Sequence, residues 1–230
     1  MRVGIVNDLR LAVQTLRRAV DTIPGASVAW VADDGMQAVQ KCAVDTPDIV
    51  LMDMIMPVMD GVEATRRIMR ASPCPILVVT ATVEGNADKV FESLGAGALD
   101  AVATPTLAAD GRVQNLDPLV KKIRAVDLIS GRRAANREPV SVAPIPSLAA
   151  SAARLPPIVA IGASTGGPEA LGIVLKFMPR PVPWPVVVVQ HVDPNFAPAL
   201  ADWLGRETGQ RVEAARPGGE PIAGKRWSAA

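Results

Sequence analysis

Asp48-Ile49-Val50-Leu51-Met52-Asp53 is the stretch of this 230-residue chain that decides its fold class. Four apolar residues stand in a row, and a carboxylate follows them directly. An unbroken apolar run of this length is typical of a strand in a parallel sheet, since helices cover both faces of such a sheet. The stretch therefore predicts an α/β fold in which Asp53 lies at the carboxyl end of a strand.

Strand and helix patterns alternate on both sides of this stretch. Residues 3–6 form a short apolar run, and the apolar residues that follow recur every three or four positions, which is typical of one helix face. The further expected elements are strands at 28–31, 75–80 and 98–103, and helices near 36–43, 60–71, 86–94 and 112–129. Five strand–helix units in tandem predict a parallel sheet with helices on both faces.

A second α/β unit is expected after a linker. Residues 131–157 contain five prolines and few strong apolar residues, a composition typical of a spacer. Beyond it, the expected elements are strands at 158–161 and 185–190 and helices at 168–178 and near 197–208. The predicted organisation is a domain at 1–124, a linker at 125–154 with some helix at its start, and a second domain at 155–230.

The second unit is predicted to be only the N-terminal part of a larger domain. Two strands with their helices cannot bury both faces of a parallel sheet. We therefore expect a chain that is truncated within this domain or that completes it by association.

Composition argues against several classes of function. Lys and Arg number 24 against 23 Asp and Glu, a net charge of +1, which argues against non-specific binding of nucleic acid. Aromatic residues are only 3% and Tyr is absent, so stacking platforms for single strands are not expected. No apolar run approaches the roughly 18 residues of a membrane span. The two cysteines, Cys42 and Cys74, are predicted to be buried thiols in a reducing compartment, so we expect a cytoplasmic protein without membrane insertion.

Acidic and hydroxyl side chains lie at the ends of three strands of the first unit. Asp8 follows the first strand, Asp53 follows the third, and Thr80 ends the fourth. Ligands of an open parallel sheet bind beyond the carboxyl ends of its strands, so these side chains are expected to converge. Two carboxylates and a carbonyl oxygen suit Mg²⁺. A carboxylate can also act as a nucleophile toward phosphorus, and a hydroxyl can then bond the phosphoryl group.

A glycine-rich turn with one serine joins a strand to a helix in the second unit, with the sequence Gly162-Ala163-Ser164-Thr165-Gly166-Gly167-Pro168. Bare backbone N–H groups at a helix N-terminus bind an anion, either a phosphate or a developing oxyanion. His191, the only histidine, ends the next strand. If the two strands are neighbours, Ser164 and His191 form the arrangement of a nucleophile activated by a base. A capping serine and a structural histidine are the alternative.

The segment Met52-Asp53-Met54-Ile55-Met56-Pro57-Val58-Met59-Asp60-Gly61 closely resembles the phosphoacceptor segment of response-regulator receiver domains. The resemblance covers residues 1–124 and implies the five-stranded flavodoxin-like (βα)5 fold. It implies Asp53 as the phosphoacceptor and Thr80 as the switch hydroxyl. It also implies Asp8, Asp53 and the backbone carbonyl of Ile55 as the ligands of Mg²⁺.

Two residues depart from the receiver pattern. The family usually has an acidic pair after the first strand, where this chain has Asn7 before Asp8. It usually has a lysine before the proline that follows the fifth strand, where this chain has Thr104 before Pro105. Loss of the ammonium removes a charge that would balance the phosphoryl oxygens, so weaker Mg²⁺ binding and slower phosphorylation are expected. The alternative is a pseudo-receiver that signals by docking alone.

The turn Ile161-Gly162-Ala163-Ser164-Thr165-Gly166-Gly167-Pro168, followed by Val189-Gln190-His191, resembles the catalytic domain of chemotaxis response-regulator protein-glutamate methylesterases, the CheB family. This resemblance runs from about residue 155 to residue 225. Receiver, linker and methylesterase in this order match the whole architecture of that family. Details such as Asn7-Asp8 and Thr104-Pro105 look most like the Wsp-type branch, which serves a surface-sensing pathway.

The resemblance implies hydrolysis of glutamate γ-methyl esters on chemoreceptors, and deamidation of glutamines by the same route, under control of receiver phosphorylation. It implies Ser164 as nucleophile, His191 as base, oxyanion donors in the turn at Thr165, Gly166 and Gly167, and no cofactor at the esterase site. The implied partners are the cytoplasmic domain of methyl-accepting chemoreceptors and a chemotaxis-type histidine kinase as phosphodonor. The family's orienting Asp is absent from this sequence, so weak or no activity is expected of this chain.

Two other functions are weighed against this one. A non-catalytic regulatory binding module is favoured by Asn7, by Thr104 and by the missing C-terminal portion. A nucleotide-binding protein that uses the glycine turn for phosphate lacks the P-loop lysine and the dinucleotide-binding glycine pattern.

Overall fold

The computed structural model describes residues 1–80, 87–108, 113–135, 157–180, 182–192, 197–220 and 226–229. In chain order, the elements of the first part are β1 Arg2–Val6, α1 Arg10–Asp21, β2 Ser27–Ala32, α2 Gly35–Val44, β3 Ile49–Met52, α3 Gly61–Ala71, β4 Ile76–Thr80, α4 Ala87–Gly95, β5 Asp100–Ala103, β6 Thr106–Leu107, β7 Val113–Gln114 and α5 Leu116–Ala135. The alternation predicted from the sequence is confirmed through β5.

Within the described residues, β1 to β5 form one parallel sheet in the order β2-β1-β3-β4-β5. This is the flavodoxin-like order, whose ligand site lies where the strand order reverses, between β1 and β3. Every residue of β3 is buried, as its apolar sequence predicts. Helices α1 and α5 pack on one face of the sheet, and α2, α3 and α4 pack on the other.

The boundary of α5 differs from the prediction. The helix begins at Leu116 rather than near residue 112, because the antiparallel pair β6–β7 comes before it. It continues to Ala135, so the start of the predicted linker is helical, as expected. The remainder of that linker, residues 136–154, lies outside the described residues.

The second part of the chain forms a separate sheet. Its elements are β8 Val159–Ala163, α6 Gly167–Phe177, β9 Val186–Gln190, α7 Ala197–Thr208, β10 Val212–Ala214 and β11 Arg226–Ala229. In the described part of the chain these strands are parallel, in the order β10-β11-β9-β8. The expectation of only two strands here was wrong. Strands β10 and β11 have the sequences Val-Glu-Ala and Arg-Trp-Ser-Ala, which lack the apolar run that marks β3.

The two parts share one apolar core. Residues of α4 pack against residues of α6 and α7, and a single buried cluster spans both parts. Phe91 and Trp203 stack at its centre, with ring centroids 6.0 Å apart and planes inclined by 26°. At the exposed edge, the guanidinium of Arg206 lies 2.5 Å from the carboxylate of Asp88. The α4 side of the first part is therefore an interface.

Both cysteines are buried, as predicted. Cys42, in α2, and Cys74, which precedes β4, are buried free thiols in the same apolar core. In the part of the chain that the structure describes, no helix has the length and apolar character needed to cross a membrane.

Candidate phosphoacceptor and nucleophile sites

Asp53 lies at the predicted edge of the first sheet, where β1 and β3 end side by side. Val6 pairs with Met52 in the last register position of these strands, and the N–H of Asp53 donates to the carbonyl of Val6. The carboxylate accepts a 2.7 Å hydrogen bond from the N–H of Met54 and a 3.0 Å bond from the side-chain amide of Asn7. Asn7, the departure from the receiver pattern, is therefore a direct partner of the candidate phosphoacceptor.

The surroundings of Asp53 raise the pKa of its carboxyl group. Burial raises the pKa of the Asp53 carboxyl above its ordinary value, hydrogen bonds from the N–H groups of Met54 and Ile55 oppose this, and the charge of Asp8 raises it further. Asp8 itself is exposed. Two carboxylates that repel each other at this edge of the sheet are a donor set that a divalent cation would stabilise.

Thr80 lies at the same edge of the sheet. It ends β4, is 1% exposed, and its carbonyl accepts a 2.8 Å hydrogen bond from the N–H of Thr104. Strand β4 lies directly beside β3. The structure thus brings Asp8, Asp53 and Thr80 to one edge, with the uncharged Thr104 following the neighbouring strand.

The loop after Asp53 has two features that the sequence did not reveal. Val58 has a φ of 66°, a left-handed conformation that is unfavourable for a β-branched residue. Gly61 begins α3, and a Cβ added there would lie 2.0 Å from the carbonyl oxygen of Asp53. The start of helix α3 therefore lies so close to the peptide of Asp53, the candidate phosphoacceptor, that only a glycine fits at position 61.

Ser164 lies in the turn between β8 and α6, as predicted. Gly166, with a φ of 76°, precedes the helix, and Pro168 occupies its first turn, where the missing N–H has no consequence. The N–H of Gly167 donates to the carbonyl of Ser164 at 2.7 Å. This backbone hydrogen bond closes the turn, and Ser164 is exposed.

His191 follows the strand that pairs with β8. The final register position of β8 and β9 pairs Ala163 with Gln190, and the N–H of His191 donates to the carbonyl of Ala163 at 2.9 Å. The condition set by the sequence is met, because Ser164 and His191 directly follow two paired residues of adjacent parallel strands. Both residues are exposed at the same edge of the sheet.

The first part of the chain contacts the serine turn, which the sequence did not show. The N–H of Gly166 donates a 2.7 Å hydrogen bond to the carbonyl of Leu99. Asp100 lies 3.5 Å from the hydroxyl of Thr165 and 2.6 Å from the ammonium of Lys122 on α5. Of the three predicted turn donors, Gly166 and Gly167 are both engaged in hydrogen bonds in this arrangement.

Comparison with known proteins assigns a family to each part. Residues 3–111 match the model of the response regulator receiver domain, and residues 159–227 match that of the CheB methylesterase. The chain is also similar to the crystal structure of the response regulator domain of Thermotoga maritima CheB. The identity is 26% and the TM-score is 0.48, and the match covers 57% of this chain and 96% of that chain.

Two curated relatives match nearly the whole chain. Protein-glutamate methylesterase/protein-glutamine glutaminase 3 of Pseudomonas aeruginosa is 51% identical over 225 residues, which are 98% of this chain and 66% of the relative. Protein-glutamate methylesterase/protein-glutamine glutaminase 4 of Burkholderia thailandensis is 50% identical over 98% of this chain and 64% of its own length. This chain thus spans about two thirds of the length of these relatives. It belongs to the family of receiver-linked protein-glutamate methylesterases/protein-glutamine glutaminases.

Proposed function

We propose that this protein is the receptor-modifying esterase of a chemosensory two-component pathway, which hydrolyses glutamate γ-methyl esters on chemoreceptors and deamidates receptor glutamines. One observation carries the proposal. Ser164 and His191 directly follow the paired residues Ala163 and Gln190 of adjacent parallel strands, the placement that a serine nucleophile and its base require.

The chemistry proceeds by acyl transfer. Ser164 Oγ attacks the ester carbonyl carbon while His191 accepts the hydroxyl proton. The tetrahedral intermediate collapses, and the proton passes from His191 to the leaving methoxide, which departs as methanol. Water then attacks the glutamyl–serine ester with His191 again as base, which releases the glutamate side chain and restores the serine. With a glutamine substrate, ammonia leaves in place of methanol.

The oxyanion needs hydrogen-bond donors, and the turn around Thr165, Gly166 and Gly167 is the proposed source. Removal of one such donor typically lowers the rate by about 10²–10³. The N–H of Gly166 is bonded to Leu99 in this arrangement, so this donor becomes available only after the receiver has moved. This contact is the proposed basis of inhibition by the unphosphorylated receiver.

Phosphorylation of the receiver is the proposed signal for that movement. The carboxylate of Asp53 attacks the phosphorus of the kinase's phosphohistidine, and the P–N bond breaks as the P–O bond of an acyl phosphate forms. The imidazole of the kinase leaves, and the buried hydroxyl of Thr80 is the proposed partner of the transferred phosphoryl group. Asp8, Asp53 and the carbonyl of Ile55 would hold Mg²⁺, which supplies charge neutralisation to the phosphoryl oxygens. The repulsion between Asp8 and Asp53 supports this donor set.

The proposed partners follow from this activity. The substrate is the cytoplasmic domain of a methyl-accepting chemoreceptor, and the phosphodonor is a chemotaxis-type histidine kinase. A cytoplasmic location and membership of the Wsp-type branch remain parts of the proposal. The domain limits 1–124, 125–154 and 155–230 also remain proposals.

Methanol release from methylated receptor tests the proposal. The assay compares this chain with a form that continues to the full length of the relatives, each with and without an acyl phosphate donor and Mg²⁺. Release by the longer form, stimulated by the donor and abolished by Ser164→Ala, is the expected result. Ser27→Ala, at an exposed serine of β2, is the matched control and keeps wild-type activity.

The same assay identifies the competing function. If neither form releases methanol while both bind receptor or kinase, the protein is a binding module and Ser164 has no catalytic role. Activity that persists in Ser164→Ala assigns the hydrolysis to another nucleophile.

A further inference from the structure

Gln190 is a polar side chain buried between the two candidate catalytic residues. It ends β9 immediately before His191, and 3% of its surface is exposed. Its Nε2 donates to the carbonyl oxygen of Ser164 at 2.9 Å and to that of His191 at 3.3 Å. One amide group is therefore hydrogen-bonded to the backbones of both residues on which the proposed function rests.

Two carbonyl acceptors determine the orientation of this amide, since only its nitrogen can donate to them. Oε1 points the other way, and among the described residues this buried atom has no hydrogen-bond partner. A buried acceptor without a partner is unfavourable. A methionine would fill the same space without that cost, so packing alone does not account for a glutamine at this position.

The amide also extends the connection between the two strands. The ladder of β8 and β9 ends at the pair Ala163 and Gln190, and the last backbone bond of this region runs from His191 to Ala163. The hydrogen bond from Nε2 of Gln190 reaches Ser164, one residue beyond the end of β8. Among the hydrogen bonds of the described residues, it is the one that joins Ser164 itself to the end of β9.

Gly167 lies on the other side of the Gln190 amide, where there is no room for a side chain. A Cβ added to Gly167 would lie 2.0 Å from Oε1 and 2.9 Å from the amide carbon of Gln190. The second glycine of the turn thus leaves the space that the Gln190 side chain occupies.

We propose that Gln190 is a positioning residue of the esterase, whose side-chain amide holds the Ser164 turn at a fixed separation from His191. This inference rests on the proposed function and identifies a further residue of the same site. Gln190 does not touch substrate. It acts through the backbone of the nucleophile and of the base, and its effect is therefore on the chemical step rather than on substrate binding.

Steady-state kinetics of the form that continues to the length of the relatives test this role. Gln190→Met keeps the length of the side chain and removes the donor, and it is expected to lower kcat about 10- to 100-fold while KM changes by less than about twofold, because small displacements of reacting groups have effects of this size. In Gln190→Glu, the carboxylate faces two carbonyl oxygens at neutral pH. Its activity relative to wild type is expected to recover as the pH falls, since the protonated acid regains one donor.

A second glutamine provides the matched control. The Nε2 of Gln210 donates to the carbonyl of Leu175 at 2.6 Å, and its Oε1 is also buried without a partner among the described residues. Gln210→Met therefore removes the same kind of hydrogen bond outside the site. It is expected to lower the unfolding temperature and to leave kcat and the pH profile unchanged.

A spectroscopic measurement on this chain tests the same inference and does not require enzymatic activity. His191 is the only histidine, so its ring C–H signals in a proton NMR spectrum need no assignment by mutagenesis. Gln190→Met and Gln190→Glu are expected to shift these signals, and Gln210→Met is expected to leave them in place.

The outcomes separate this inference from the proposed function. Wild-type kcat and unshifted His191 signals in Gln190→Met would overturn the positioning role, even if that variant unfolds at a lower temperature. If Gln190→Met does not fold, Gln190→Glu decides the question through its pH profile. If the wild-type protein releases no methanol, the proposed function is wrong, and the His191 signals alone decide whether Gln190 positions this strand end.

Discussion

The backbone N–H of Gly166 donates a 2.7 Å hydrogen bond to the carbonyl oxygen of Leu99. Leu99 directly precedes β5 of the receiver, and Gly166 lies two residues after the candidate nucleophile. The bond joins the receiver part of the chain to the proposed oxyanion turn. It occupies a donor that cannot serve a substrate oxyanion at the same time.

The packing beside this bond determines how firmly the receiver stays on the turn. Trp203 of α7 is 5% exposed and stacks on Phe91 of α4. The ion pair between Arg206 and Asp88 joins the same helices but is exposed, and such pairs typically contribute about 0–1 kcal/mol. The aromatic contact is therefore expected to dominate the interface.

Gly95→Ala is expected to raise the basal esterase activity. Gly95 ends α4, and an added Cβ would lie 2.8 Å from the ring of Trp203, so the Trp203 ring or one of the helices α4 and α7 must shift. Coupling between sites is commonly worth about 5- to 150-fold, and we expect a several-fold rise in methanol release without phosphodonor, with less further stimulation by the donor. Alanine favours a helix over glycine by about 1 kcal/mol, so the receiver stays folded.

The control for this prediction lies on the same helix. Glu92 is exposed on α4, and Glu92→Ala should leave basal activity at the wild-type level. Equal basal activities in Gly95→Ala and wild type would show that the α4–α7 contact does not restrain the enzyme.

Val58→Gly is expected to stabilise the protein. The φ of 66° at Val58 costs an L-residue about 1–2 kcal/mol, and glycine adopts it freely but loses more chain entropy on folding. The expected net gain in the free energy of unfolding is about 0.5–1 kcal/mol, measured by denaturant titration. Val44 is 91% exposed at the end of α2, and Val44→Gly should lower stability instead. A loss of stability in both variants would contradict the role of the φ angle.

Asp53→Asn is expected to make stability less dependent on pH. Burial, together with the charge of Asp8, raises the pKa of Asp53 in the folded state, so the folded state binds this proton more tightly than the unfolded state does. The penalty for the buried charge is thus fully present at neutral pH, where Asp53→Asn should stabilise the protein. It disappears as the pH falls below the unfolded pKa of about 3.9.

Thermal unfolding between pH 3 and pH 8, with and without Mg²⁺, measures both effects. Mg²⁺ is expected to raise the unfolding temperature of the wild type at neutral pH and to have little effect on Asp53→Asn. A larger stabilisation of Asp53→Asn at acid pH than at neutral pH would reverse the assigned sign.

Much of the fold was accessible from the sequence because it is carried by short-range patterns. Strand β3 is a four-residue apolar run followed by an acid, and burial on both faces follows directly from that pattern. Strand β10, at Val212–Ala214, has no comparable pattern. It is a strand because of its ladder with β11, and hydrogen bonds between segments distant in the chain leave no local period to detect.

The residues of the candidate site that lie at strand ends could be predicted from the sequence. Ser164 and His191 were identified from residue type and from their position after apolar runs. The contribution of Leu99 was not, because its carbonyl acts through a backbone atom that every residue has. Gln190 did carry a signal, since a single amide follows four consecutive valines, and its partners became apparent only when the strand register was known.

Gly61→Ala is expected to damage the candidate phosphoacceptor site through steric overlap rather than backbone conformation. The added Cβ would lie 2.0 Å from the carbonyl oxygen of Asp53 and 3.0 Å from the Cα of Met54. Both are backbone atoms, so either the Asp53 peptide or the start of α3 must move. Overpacking of this kind typically costs about 1–3 kcal/mol, which denaturant titration measures, and we expect phosphorylation by an acyl phosphate to be largely lost.

A glycine in another helix distinguishes this effect from a general intolerance of alanine. Gly172 lies in α6, where a Cβ would make only ordinary contacts, 3.4 Å from Trp203 and 3.5 Å from Glu207. Gly172→Ala should therefore be neutral or slightly stabilising, because alanine is the better helix former. If Gly61→Ala also keeps wild-type stability and phosphorylation, the close approach of α3 to Asp53 does not constrain the site. Steric overlap would then not explain why a glycine occupies position 61.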